Sequence, residues 1–403
     1  MTINSLLDTD FYKITMMQAV YHKYTNVNVE YAFKWRNKHK CEFTIPINYF
    51  IYKIQKEINH LCTLRFQNDE LDYLAKIPFI KKDFIEFLRI FQLNKNHVVI
   101  ERGDCDSIDI RIKGPWLNTI LFEVPILAII SELYTIQIND HTNQKNYYLG
   151  AVNKLNEKIW YLNNPAQCPE GFRFGDFGTR RRMSFEFQKR MLIEMIKTGK
   201  LIGTSNVHFA KLFGIKPLGT HAHEWFQVHQ QLNHRLIDSQ KAALQAWADE
   251  YRGELGIALS DCITFDAFLV DFDKYFAKLF DGCRHDSGNP YKWVEKLINH
   301  YKKMNIDPRT KTALFSDGLE LRLAVDLYNR YNAKINTSFG IGTNLTNDAG
   351  FTAPQIVLKL VKVNGQPVAK ISDSPGKGMC EDAEYLSYLM RVIIQKTGNN
   401  GFL

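Results

Sequence analysis

The sequence predicts an α/β fold, an irregular (β/α) barrel joined to a second, mixed α/β domain of sandwich-like character. Two observations predict it. From about Phe172 to Thr343, short apolar or β-prone runs recur, each ending in glycine and polar residues, and most are separated by helix-length stretches. Strands alternating with helices imply a parallel sheet, and seven or so such units suggest a sheet closed on itself. Outside that region, "VNVEYAFKW", "IDIRIKG" and "IVLKLVKVNGQPVAKIS" alternate apolar with polar residues, as half-buried strands do. A chain of 403 residues also exceeds what one core usually organises. Residues 1–140, completed by 350–403, are therefore assigned to the mixed domain and residues 141–349 to the barrel.

Each element has a local reason. "DTDFYKITMMQAVYHKY" offers Asp and Thr as helix caps, followed by apolar residues at helical spacing. "WLNTILFEVPILAIISELY" is apolar enough to consider a membrane span, but Glu123, Pro125 and Glu132 interrupt it. A bilayer penalises those carboxylates, so a buried core helix is expected. The barrel strands are read, in order, in "FGDFGTRRR", "LIGTSN", "IKPLGTHAHEW", "GIALSDCIT", "DGCRHDSG", "TALFSDG" and "TSFGIGTN". "NPYKWVEKLINHYKKM" and "GLELRLAVDLYNRY" supply helices between them. Asn364-Gly365 marks a hairpin near the C-terminus.

Composition excludes several classes. The chain is 45% hydrophobic and 23% charged without biased tracts, as in ordinary soluble proteins. Seven scattered cysteines form no C-x-x-C pair, so free thiols in a reducing, cytoplasmic compartment are expected, not a disulfide framework or zinc knuckle. A net charge of +8 suits an acidic ligand, and acids interspersed along the chain argue against a nucleic-acid surface.

In a (β/α) barrel, functional groups sit at the C-terminal ends of the strands, and Arg, His, Asp, Ser and Thr collect there in this chain. Gly340, Gly342 and Thr343 could cradle a phosphate with backbone amides, or simply turn the chain from strand to helix. Of Arg180, Arg181 and Arg182, at least one is expected to face the site, because a guanidinium fork matches phosphate oxygens. Arg284 with Asp286, and Asp317, add a cation and carboxylates suited to a phosphorylated sugar or Mg²⁺. No P-loop is present, and "SPGKG" around Lys377 lacks its spacing. His221 and His223 form an H-x-H pair that could ligate metal, although His221, His229 and His234 also read as satisfied, half-buried histidines. His223, followed by Glu224 and Trp225 at a strand–helix junction, could act as base, nucleophile or phosphoryl acceptor.

Ten blocks in order, "LLDTDFYK", "GPW…FEVPILAIISE", "DFGTRRR", "GTSN", "GTHAHEWFQ", "LSDCITFDAFL", "RHDSGNP", "FSDGL", "FGIGTNLTND" and "KISDSPGK", resemble the bacterial type of nicotinate phosphoribosyltransferase over nearly the whole chain. The resemblance implies transfer of a phosphoribosyl group from 5-phosphoribosyl-1-pyrophosphate to nicotinate, with ATP hydrolysed through a phosphohistidine at His223 and Mg²⁺ carried mainly by the substrate phosphates. It implies phosphate and pyrophosphate duty for Arg180, Arg284, Gly340 and Gly342, substrate binding by Ser287 and Thr343, and ribose or Mg²⁺ duty for Asp286 and Asp317. Phe177 would offer an aromatic face to the pyridine, and Tyr12 the opposite face, across a homodimer interface. Thr204 and Ser205, in the neutral "GTSN", would admit nicotinate, because a carboxylate there would repel the substrate's own. The alternatives are a nicotinamide or quinolinate phosphoribosyltransferase, a barrel metal hydrolase using His221 and His223, and a nucleic-acid binder.

Overall fold

The computed structural model describes residues 1–403 apart from 41–42, 105–106, 142–144, 233 and 399–403. Cys41 and Cys105 therefore lie outside the described residues, and the five described cysteines are all free thiols.

Seven short strands build a parallel sheet: β4 (Phe174–Asp176), β5 (Leu201–Thr204), β6 (Lys216–Pro217), β7 (Ile257–Leu259), β8 (Gly282–His285), β9 (Thr312–Phe315) and β10 (Asn336–Ile341). Six fall within the expected runs, and β10 begins one residue before its own, at Asn336. Their order is β6-β5-β4-β10-β9-β8-β7, which is the circular order of a barrel with one seam, between β6 and β7. Main-chain pairing stops there because β6 is two residues long, and helices His223–His229 and Ser239–Tyr251 intervene before β7. Side chains bridge the gap instead. Thr220 donates its hydroxyl to the carbonyl of Ile257 at 3.0 Å, and Thr15, on helix Phe11–Lys23, donates to the carbonyl of Thr220 at 2.6 Å. Gly219, at φ 148°, passes so close to this helix that a Cβ would stand 2.8 Å from the Tyr12 nitrogen. Only glycine allows that approach.

The second sheet is antiparallel, in the order β12-β11-β1-β3-β2. It combines β1 (Asn28–Trp35), β2 (Val98–Arg102) and β3 (Ile108–Pro115) with the C-terminal hairpin β11 (Ile356–Val363) and β12 (Gln366–Pro367). The hairpin does pack back on the N-terminal strands, with Phe33 opposite Leu358 on β11 and Tyr31 opposite Ile112 on β3. Its turn residues, Asn364 and Gly365, both have positive φ (49° and 79°), as a two-residue primed turn requires.

Among the described residues, the one helical stretch apolar and long enough to cross a membrane, Trp116–Ile138, is 94% buried within its most apolar window. Glu132 is tolerated there because Arg182 donates to it at 2.7 Å. Glu123 is held by Lys13 at the same distance. Helix Phe11–Lys23 departs from expectation at its start. Asp10 occupies the cap position, but its side chain makes no capping bond. It turns instead toward Ser205, on the wall of the cavity described next.

Candidate active site

The C-terminal ends of the parallel strands and the inner face of the hairpin enclose a cavity of about 520 Å³. The strand ends contribute Phe177, Arg180, Arg181, Ser205, Arg284, Asp286, Asp317, Gly342 and Thr343, and the hairpin with its continuation contributes Lys359, Lys370 and Lys377. Arg36 and Tyr12 complete the wall from the N-terminal region. Seven cationic side chains (Arg36, Arg180, Arg181, Arg284, Lys359, Lys370, Lys377) thus face four carboxylates (Asp10, Asp286, Asp317, Asp348). The excess suits a strongly anionic ligand.

His223 is the first residue of helix His223–His229 and is only 6% exposed. Its Nε2 stands 2.9 Å from Asp261 Oδ1 and 3.5 Å from Asp286 Oδ2. Burial, aided by the nearby Lys370 ammonium, pushes the imidazole down to about 3. Asp261 is held well below the usual carboxylate range: burial opposes ionisation, but Lys370 and the His223 ring outweigh it. An ionised Asp261 accepts, so the neutral ring donates its Nε2–H and keeps a free lone pair on Nδ1. Asp261 is a hub, also accepting from Ser287 at 2.6 Å and from Lys370 at 3.2 Å.

Asp286 accepts a hydrogen bond from Ser316 at 3.0 Å. It lies low, at about 2, because His223, Arg284 and Lys370 outweigh its burial and the repulsion of Asp261. Lys377 reaches both the Asp286 carbonyl, at 3.1 Å, and the Asp317 carboxylate. On the opposite side, burial raises Asp10 despite the Arg180 guanidinium, whose Nε is 3.5 Å from Oδ2.

Two sequence models match this chain: the nicotinate phosphoribosyltransferase (NAPRTase) family over residues 172–396 and its N-terminal domain over residues 7–131. The chain belongs to the nicotinate phosphoribosyltransferase family. Enzymes of that name from Cupriavidus necator and Ectopseudomonas mendocina are each 50% identical to it over 398 residues, 97% of this chain and 98% and 96% of theirs. The crystal structure of nicotinate phosphoribosyltransferase from Vibrio cholerae superposes with a TM-score of 0.90 at 38% identity, covering 98% of this chain and 94% of that one. The enzyme from Porphyromonas gingivalis gives 0.88 at 33% identity, covering 97% and 99%.

Within this phosphoribosyltransferase several sequence expectations are relocated. Tyr12 lines the same cavity as Phe177 within this chain. Thr204 is fully buried and spends its hydroxyl on Asp176 at 2.7 Å, so it does not reach the cavity. Ser287 is buried too and acts on Asp261, not on the cavity. Gly340 lies beneath Phe177, where a Cβ would come within 2.3 Å of the ring, so it seats the aromatic face. Arg180 and Arg181 face the cavity, whereas Arg182 is fully buried in a bidentate pair with Asp8 at 2.7 and 2.8 Å.

The neutrality read in "GTSN" does not make the spot free of carboxylate, because Ser205 donates to Asp10 at 2.7 Å. The H-x-H metal pair is also split. The His221 ring stacks on Trp247 at 4.7 Å, its Nε2 has no partner, and among the described residues the cluster able to hold a metal is His223, Asp261 and Asp286, without His221.

Sequence reasoning missed Asp10, Arg36, Asp261, Lys359, Lys370 and Lys377. Asp261 and Asp10 carried a signal as the acids of "LSDC" and "DTDF" in family-like blocks, and Lys370 and Lys377 as the two ends of "KISDSPGK", whereas Arg36 and Lys359 carried none. Lys359 belongs to an amphipathic strand, β11, whose destination is not written in its periodicity.

Proposed function

We propose that this phosphoribosyltransferase, an enzyme of NAD biosynthesis, joins nicotinate to 5-phosphoribosyl-1-pyrophosphate and couples the reaction to ATP hydrolysis through a phosphohistidine at His223. The observation that carries the reading is the His223–Asp261 pair on the wall of a cation-rich cavity. With Nε2–H committed to Asp261, the Nδ1 lone pair is the nucleophile. It forms an N–P bond to the terminal phosphorus of ATP as the bond to the bridging oxygen breaks and ADP leaves. The attacking nitrogen carries no proton, and the positive charge left on the phosphorylated ring is balanced through Nε2–H by the Asp261 carboxylate.

In the transfer itself the pyridine nitrogen bonds to C1 of the ribose while the C1–oxygen bond breaks and pyrophosphate departs. Positive charge develops on the sugar and negative charge on the leaving group. Arg180, Arg284, Lys370 and Lys377 stand where they can neutralise phosphate oxygens, and Phe177 with Tyr12 gives the pyridine an apolar slot. Asp286, Asp317 and the Ser316 hydroxyl are hard oxygen donors on one side of the cavity, a set that fits Mg²⁺ retaining waters and substrate oxygens. Bound there, Mg²⁺ would neutralise the polyphosphate charge.

Intact mass after incubation with Mg-ATP tests the reading. One acid-labile phosphoryl group is expected on the wild type, discharged by the other substrates, and none on His223→Asn. Equal labelling of both proteins, or of neither, overturns it.

A further inference from the structure

A buried ionic cluster lies behind the cavity wall, and of its members the proposed chemistry uses only Arg180. Lys13 is fully buried and bonded to two carboxylates, Glu123 at 2.7 Å and Glu224. Glu224 also accepts from the indole of Trp116 at 2.9 Å and the hydroxyl of Tyr31 at 3.3 Å. Glu123 in turn lies 3.7 Å from Arg180, whose side chain is 41% exposed toward the cavity. Two cations thus balance two carboxylates along one line, Arg180–Glu123–Lys13–Glu224. Its last member is the second residue of helix His223–His229 and directly follows His223 in the chain.

Such a cluster is weak evidence for stability, since well-packed apolar side chains often serve a core as well or better. What it does fix is geometry. Lys13 belongs to helix Phe11–Lys23, Glu123 to helix Glu123–His141 and Glu224 to the first turn of helix His223–His229. That first turn carries His223 and lies near the barrel seam, where no strand pairing holds it. Arg180 is loosely held, 3.5 Å from Asp10 and 3.7 Å from Glu123, beyond ideal hydrogen-bond length, so an anion in the cavity can recruit it.

We propose that Lys13 is a positioning residue: it holds Glu224, and with it the His223 turn, in register with the anion-binding Arg180. The inference rests on the reading of His223 as phosphoryl acceptor. Lys13 touches no substrate. Through its two carboxylates it sets where the imidazole stands relative to the phosphates that Arg180 gathers.

The test is Lys13→Met/Glu224→Gln, which removes one charge of each sign and leaves Arg180 to balance Glu123. Circular dichroism and the thermal midpoint establish that the variant folds. The expected result is phosphorylation of His223 by Mg-ATP at least tenfold slower than in wild type. The ratio of product formation with and without ATP falls toward one, while KM for nicotinate changes less than threefold. A merely structural role predicts no such split. Should the double variant fail to fold, Glu224→Gln alone, which still accepts from Trp116, is expected to show a smaller fall in the same ratio. A folded variant labelled at the wild-type rate, with ATP stimulation intact, overturns the role of Lys13 alone. A wild type that takes up no phosphoryl group overturns the phosphohistidine reading as well.

Discussion

Ser205 and Asp10 meet at 2.7 Å on the cavity wall, and this contact changes how substrate choice is read. A carboxylate already stands where nicotinate's own is expected. Burial raises the pKa of Asp10, and Ser205 and Arg180 offset part of its charge, so the subsite tolerates an acid only while those partners are present. Ser205→Asp removes the donor and adds a second carboxylate at contact distance. KM for nicotinate is expected to rise about tenfold or more, roughly 1.4 kcal/mol of binding, with less effect on nicotinamide as a competing substrate. Steady-state kinetics with both pyridines checks this, and unchanged nicotinate kinetics would sink it.

Helix His223–His229 shows how an element is locked by groups at both ends. Glu224 anchors its first turn to Lys13, and His229 closes its last. His229 Nδ1 donates to the carbonyl of Trp225 at 2.6 Å, which leaves Nε2 to accept from the Tyr24 hydroxyl at 3.0 Å. The bond from Tyr24 needs the neutral ring, since a protonated Nε2 cannot accept, and burial pushes the ring's pKa down to about 3. The unfolded chain takes up this proton near the ordinary histidine value, about 6.5, and the folded chain does not. His229 therefore contributes stability that is complete above about pH 6.5 and is lost as the pH falls toward 3. Relative to His229→Gln, the wild type's stability advantage should shrink by about 1.4 kcal/mol per pH unit below that point. Urea midpoints at neutral and mildly acidic pH measure the slope. Parallel pH dependences in the two proteins would show that the ring is not held neutral.

At the scale of the whole molecule, the cavity concentrates cations in a chain whose net charge is +8. Acidic substrates are thus drawn in by a field that salt screens over about 10 Å at ~0.1 M. Raising the ionic strength from low salt should lower kcat/KM for the phosphorylated substrate several-fold while kcat changes little, because the contacts made after binding are shielded from solvent. A kcat that falls in step with kcat/KM would place the salt effect on the chemistry instead.

The sequence by itself determined the strands, the hairpin and the identity of many cavity groups. Periodicity, glycine punctuation and strand-end chemistry are local properties, and seven strand-end runs became seven parallel strands. It also marked the Trp116 stretch as a core helix, because a bilayer would penalise its carboxylates. Only the tertiary structure decided which groups face which. Thr204 and Ser205 are neighbours in sequence, yet one serves a buried carboxylate and the other the cavity wall. Arg181 and Arg182 diverge in the same way. Lys359, Lys370 and Lys377 reach His223's cavity because β11 pairs with β1 and brings the C-terminal hairpin over the barrel mouth. Such encounters join residues far apart in the chain, from 28 positions for Thr204 and Asp176 to 174 for Arg182 and Asp8, and no local pattern encodes them.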